Sequence, residues 1–185
     1  MVNVAILCEG RNDKEFIGTL ISHLGFGNNN ANFYIFGGKS KFFELDNTKY
    51  KDLKLDIDSG QIEKVLLVVD ADDMKNDIVY GGFENTQSAL NAIIKQLGLE
   101  AVSRPYIMCD PATKTGYLES FILSTIPVAQ RNCIEGFLEC SQFKSKENHK
   151  AILNQIYKLA YPNAPYDFEH HHFESLKIEL TNLFK

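Results

Sequence analysis

Hydrophobic and polar positions fall into two rhythms along this chain. A short apolar run from Val2 to Cys8 stops at Glu9-Gly10. Phe16, Leu20 and Leu24 then recur every four residues with Ile17 and Ile21 beside them, which predicts a helix. Asn12, three residues before Glu15, is placed to cap it, and Gly25 and Gly27 are placed to stop it. Asn32–Phe36 predicts a second strand, followed by Gly37-Gly38-Lys39-Ser40. The charged stretch 41–61 is only weakly periodic and predicts a short helix with a variable connection. Val65–Val69 carries the strongest strand signal, a β-branched and leucine run suited to burial on both faces of a parallel sheet. It ends on Asp70-Ala71-Asp72-Asp73. A helix is predicted from about Asn85 to Gly98, a fourth strand over Arg104–Cys109, and a helix over Tyr117–Ile126 closed by Pro127.

Beyond Pro127 the periodicity is helical throughout: around Ile134–Leu138, through Ile152, Ile156 and Leu159, and from Phe173 to Leu183, with Tyr161–Pro165 separating the last two. Alternating strands and helices predict an α/β fold with a mostly parallel central sheet flanked by helices. The organisation expected is an α/β core over residues 1–126 and a helical C-terminal extension over 127–185. The amphipathic C-terminal helices are expected to cover the sheet or a homodimer interface.

The 185 residues include 44% hydrophobic and 23% charged positions, an ordinary globular composition that argues against disorder, collagen or coiled coil. No apolar run approaches the length of a membrane span. The absence of a basic, apolar leader pattern at the N-terminus leads us to expect a cytoplasmic protein. In that compartment Cys8, Cys109, Cys133 and Cys140, which lack metal-finger spacing, are expected as reduced, mostly packed thiols. The net charge of −5 disfavours electrostatic clamping of duplex DNA, unless bound metal supplies the positive charge.

In open α/β sheets ligands bind beyond the carboxyl ends of the strands. Glu9 ends the first predicted strand, Asp70 and Asp72 follow the central one, and Asp110 follows the fourth. Carboxylates gathered at one edge repel unless a cation sits among them. Oxygen donors without a His or Cys cluster favour Mg²⁺ or Mn²⁺ over zinc. Alternate residues of an extended segment point the same way, so Asp70 and Asp72 can face one metal, or one each of two. Gly10 permits a sharp exit after Glu9.

A strand ending in Glu9-Gly10-Arg11-Asn12-Asp13, an apolar helix, and a later strand ending in Asp70-Ala71-Asp72 together resemble the Toprim domain. The likeness covers roughly Met1 to Leu123. It is closest to small stand-alone Toprim-like proteins, some encoded beside an ATPase, and extends to the Toprim domains of OLD-family nucleases and the 5S ribosomal RNA maturase. Gly116-Tyr117-Leu118-Glu119 matches a Gly-x-Leu-Glu stretch of that group. The resemblance implies a Toprim-like, Rossmann-like sheet. It also implies Glu9 as general acid or base or metal ligand, and Asp70 and Asp72 as ligands of Mg²⁺. Asp13 matches an acidic position serving a second metal in the nuclease branch, or caps the helix, and Glu119 is a further acidic candidate. No topoisomerase tyrosine, zinc finger or helicase motif accompanies these residues. The expected activity is therefore metal-dependent phosphodiester hydrolysis on nucleic acid, alone or with an ATPase partner. Arg11, Lys39 and Lys114 lie in predicted turns, where they meet phosphate or simply solubilise the surface.

Other readings compete. A nucleotide-sugar glycosyltransferase also ends a hydrophobic strand in Asp-x-Asp, but leaves Glu9-Gly10 unused. An aspartyl phosphatase normally places that motif on its first strand. A non-catalytic binding or regulatory module can keep the same shell. Gly37–Ser40 is not a Walker A motif, because Phe33 stands where the first glycine belongs. His170-His171-His172 cannot share one helical face and is expected as a helix start with one ring packed and two exposed. Phe33, Phe36, Phe42 and Phe43 are expected in the core rather than stacking bases.

Overall fold

The computed structural model describes residues 3–27, 31–140 and 166–185. The predicted helix through Ile152–Leu159 and the separator Tyr161–Pro165 lie outside them. Among the described residues four strands form the sheet: β1 (Val4–Cys8), β2 (Ala31–Ile35), β3 (Lys64–Asp70) and β4 (Ser103–Met108). Their order is β2-β1-β3-β4 and every pairing is parallel. The fold is α/β and Rossmann-like, as the alternation of patterns predicts.

Helices cover both faces. The side chains of β3 alternate between two cores, Val65, Leu67 and Val69 on one side and Leu66 and Val68 on the other. Residues α2 (Lys39–Phe42), α3 (Thr48–Asp58) and α4 (Phe83–Leu97) close the first core through Phe42, Tyr50, Leu53, Leu90 and Ile93. The second core is closed by α1 (Arg11–His23), α5 (Leu118–Leu123) and the C-terminal helix. A further helix, α6 (Val128–Cys140), follows α5; a 3₁₀ turn at His171–Phe173 leads into α7 (Glu174–Phe184). Full burial of each Val or Leu is worth about 1.5–3 kcal/mol, so burial on both faces makes β3 the strongest anchor of the sheet.

Several boundaries differ from the pattern. Helix α1 starts two residues early: Gly10 is its N-cap, and the Asp13 carboxylate accepts the Gly10 N–H at 2.7 Å. Asn12 is helical, so its predicted capping of Glu15 is not formed. The helix expected over Tyr117–Ile126 ends at Leu123, and Pro127 serves the next helix, accepting from the N–H groups of Gln130 and Arg131. Residues 41–61 hold the end of α2 as well as the predicted helix, α3. Phe168, Phe173, Leu176, Leu180 and Leu183 share a core with α1 and α5, so α7 completes a face of the sheet. Among the described residues no helix is long and apolar enough to cross a membrane.

Candidate functional site

Parallel strands deliver their carboxyl ends to one edge. In the order β2-β1-β3-β4 the chain runs outward from β1 to β2, then crosses back to β3, so the strand order reverses between β1 and β3. Such a switch point leaves a crevice where the flanking connections diverge. Glu9 follows β1 directly and Asp70 ends β3, one on each side of it.

The two residues are joined. Glu9 Oε1 accepts the backbone N–H of Asp70 at 2.8 Å. The Glu9 carbonyl accepts the N–H groups of Gly37 and Gly38 at 2.8 and 3.0 Å, which draws the β2–α2 turn over the same spot. Gly37 and Gly38 carry φ of 82° and 131°, a region glycine alone enters freely, so the Gly-Gly pair is what lets the turn close. The Asp70 carboxylate accepts the N–H of Leu118 at 3.0 Å, docking the start of α5 onto the end of β3. Glu9, Gly10, Arg11, Asn12, Asp13, Gly37, Gly38, Asp70, Leu118 and Glu119 line a cleft of about 430 Å³.

Burial pushes the Glu9 carboxyl up to about 7. The Asp70 N–H opposes that rise, Asp72 adds to it, Lys39 opposes it, and Asp13 adds a little more. The side chain therefore exchanges its proton near neutrality, in the range a general acid or base uses.

Asp72 follows a different geometry from Asp70. Its φ is 59°, and it forms an isolated antiparallel bridge to Gly116, donating its N–H to the Gly116 carbonyl at 2.6 Å. Its carboxylate meets Lys39, with Nζ 3.5 Å from Oδ2. Lys39 is buried and also donates to the carbonyls of Asp70 and Ala71 at 2.7 and 3.0 Å and to Thr86 Oγ1 at 3.0 Å. Its ammonium is thus the cation of the β3 terminus. Of the two readings for Lys39, meeting phosphate or solubilising the surface, its burial rules out the second. The signal for it was the Gly-Gly-Lys order itself: two glycines make the turn, and the lysine that follows is carried inward.

The remaining predicted residues separate. Asp13 and Glu119 are buried and line the cleft with Glu9 and Asp70. Arg11 is exposed at its mouth. Asp110 lies apart from the cleft lining, shaping the 110–116 turn by accepting the Ala112 N–H at 2.8 Å and pairing with Arg131 at 3.6 Å. Lys114 sits in that turn with φ 58° and its ammonium 5.2 Å from the Phe83 ring centroid. Cys8 and Cys109 are buried as expected, whereas Cys133 and Cys140 are exposed on α6. Phe36 and Phe42 are core residues, and Phe43 packs against the core and stacks on Tyr80.

The family model described as "Protein of unknown function (DUF3226)" matches residues 3–166, most of the chain. The chain belongs to the DUF3226 family. No curated protein and no solved structure matches it significantly. All residues of the cleft fall inside the span matched to DUF3226, and the described helix α7 lies beyond it.

Proposed function

We propose that this protein is a Toprim-type, Mg²⁺- or Mn²⁺-dependent phosphodiesterase that cleaves nucleic acid, alone or with an ATPase partner, in the cytoplasm. The observation that carries the reading is the Glu9–Asp70 hydrogen bond across the reversal of strand order, at a cleft lined by four carboxylate residues. The donor set fits a hard divalent cation. Glu9, Asp13, Asp70 and Glu119 offer oxygen only, and burial, with Asp72 beside it, holds Glu9 near 7. Glu9 and Asp70 would hold the ion, with Asp13 and Glu119 beside them. When bound, the ion supplies Lewis-acid stabilisation of phosphate charge and lowers the acidity threshold of water.

The chain's own groups have separate tasks in this reading. Where it does not ligate the ion, Glu9 holds or releases a proton at its carboxylate near neutral pH. The Gly10 turn lets a phosphate approach the backbone, and Arg11 at the mouth meets its charge. Asp72, a Mg²⁺ ligand by the Toprim resemblance, has its carboxylate 3.5 Å from Lys39 Nζ, and would serve the metal either directly or by holding the β3 terminus.

A non-catalytic binding module retaining the same shell is the alternative. Incubation of the full chain with single-stranded, duplex and structured DNA and RNA in Mg²⁺ or Mn²⁺ decides between them. Cleavage that is lost with chelator and in Glu9→Gln supports the enzyme. Metal binding by calorimetry without cleavage of any substrate supports the module. Cleavage that survives both chelator and Glu9→Gln overturns the proposal.

A further inference from the structure

A second group of side chains, away from the carboxylate cleft, has the chemistry of a ligand site. Three consecutive residues cannot share one face of an α-helix, and the sequence therefore predicts that His170, His171 and His172 diverge. The backbone there is not α-helical. His170 has extended backbone, with φ −63° and ψ 135°, and caps the 3₁₀ turn that begins at His171. The three rings fold together as a result, with centroids 4.3–4.6 Å apart in every pairing. One ligand nitrogen from each lies within 4.8 Å of the other two.

We propose that His170, His171 and His172 bind one divalent transition-metal ion of the Zn²⁺ or Ni²⁺ class where the end of α5 meets the entry to α7. Imidazole nitrogens alone select such ions over Mg²⁺, so this site and the oxygen-lined cleft take different metals. His172 is preset for the task. Ser124 Oγ, which donates to the Phe121 carbonyl at 2.6 Å, lies within hydrogen-bond distance of His172 Nδ1, 2.8 Å away. That contact orients the His172 ring, as a hydrogen-bonded partner outside the ligand set does for a metal-binding imidazole. A tetrahedral ion with bonds of about 2.1 Å sets its nitrogens about 3.4 Å apart. Closing from 4.8 Å takes ring rotations, which the exposed His171 makes freely. His170 Nδ1 accepts the His172 N–H at 3.2 Å, a long bond that ligation through this atom replaces. Three protein ligands leave a coordination position to water, so the bound ion exchanges readily.

The site spans two elements of the second core. Ser124 closes α5, whose first N–H binds Asp70, and the histidines lead directly into α7. An ion there would rigidify the entry to the C-terminal helix, which Ser124 joins to the end of α5. The inference is independent of the nuclease reading, since none of its residues lines the cleft.

The test uses the full chain without a polyhistidine tag, in a Glu9→Gln/Asp70→Asn background that removes the principal oxygen ligands. Zn²⁺ and Ni²⁺ are titrated by calorimetry, and Co²⁺ by its visible absorption. The expected result is one ion per chain, with a gain in melting temperature. Binding should weaken at least tenfold in His172→Ala and in the triple alanine variant, and several-fold in Ser124→Ala, while excess Mg²⁺ does not displace the ion. Should His172→Ala fail to fold, the exposed His171→Ala carries the same tenfold expectation. Equal affinity in the triple variant and its parent overturns the site, as does half an ion per chain or binding that vanishes in the cleft background.

Discussion

Glu9 Oε1 accepts the backbone N–H of Asp70 at 2.8 Å, so the carboxylate following one inner strand is held by the backbone that ends the other. This bond is made by a side chain on one side and a main-chain group on the other. Replacing Asp70 by Asn therefore leaves it intact, and Glu9→Gln keeps an oxygen in place to accept it. Both substitutions change charge while preserving the geometry that joins β1 to β3.

The raised carboxyl of Glu9 gives stability a defined pH dependence. An unfolded glutamate releases its proton near 4.5, and Glu9 in the folded chain near 7. Between those values the folded state binds more protons, so stability falls as pH rises through the window and levels off above it. The full shift corresponds to roughly 3 kcal/mol at most. Metal-free melting temperatures should therefore decline from pH 5 to pH 7.5, and Glu9→Gln should flatten that decline. Mg²⁺ at millimolar concentration should oppose it in the parent and not in the variant. A pH slope identical in both proteins would show that Glu9 does not set it.

Lys39 is the residue whose loss the β3 terminus tolerates least. Its ammonium serves two carbonyls, a hydroxyl and the Asp72 carboxylate inside the fold. Removing one partner of a buried ion pair leaves the other uncompensated, at about 3–5 kcal/mol. Lys39→Met should show a loss of that size by chemical denaturation. Adding Asp72→Asn should recover part of it, since the stranded charge is then gone. Simple additivity of the two single losses would mean that the pair is not coupled.

The sheet and its carboxylate edge were legible in the sequence because both rest on local signals. The uninterrupted Val65–Val69 run specifies an inner strand without reference to its neighbours, and Glu9 and Asp70 could be placed once strand ends were known. What escaped was set by tertiary contact. Asp72 looked equivalent to Asp70 because an extended Asp-x-Asp points both side chains one way. The chain instead leaves the strand after Asp70, and Asp72 adopts φ 59° to bridge Gly116, far away in sequence. The fate of Lys39 likewise depends on acceptors contributed by β3 and α4. The expected divergence of His170–His172 rests on an α-helical geometry that the local backbone does not have.

The thiols give a check on the packing that requires no activity. Burial pushes Cys8 up to about 12 and raises Cys109 as well, while Cys133 and Cys140 are exposed. Only thiolate reacts, so the two buried groups are protected twice, by access and by protonation. Brief treatment of the native chain with a thiol reagent should label Cys133 and Cys140, and labelling in denaturant should reach all four. Peptide mass spectrometry identifies the sites. Rapid native labelling of Cys8 would contradict the burial of β1.

Asp72 offers the most informative pair of substitutions, because its backbone and its carboxylate make separate demands. A residue at φ 59° is strained unless its short polar side chain can bond locally, and asparagine tolerates this region far better than alanine. Asp72→Asn keeps the backbone preference and removes the charge facing Lys39. Asp72→Ala removes both. The alanine variant should therefore be less stable than the asparagine variant by about 1–2 kcal/mol in denaturant melts. Activity should divide them differently. If Asp72 acts by holding the β3 terminus, Asp72→Asn should retain much of the metal-dependent cleavage that Asp70→Asn loses. If Asp72 is itself a metal ligand, Asp72→Asn and Asp70→Asn should lose cleavage alike, with metal affinity falling in both. Calorimetry with Mn²⁺ on the two asparagine variants, run beside the cleavage assay, separates a positioning aspartate from a ligating one.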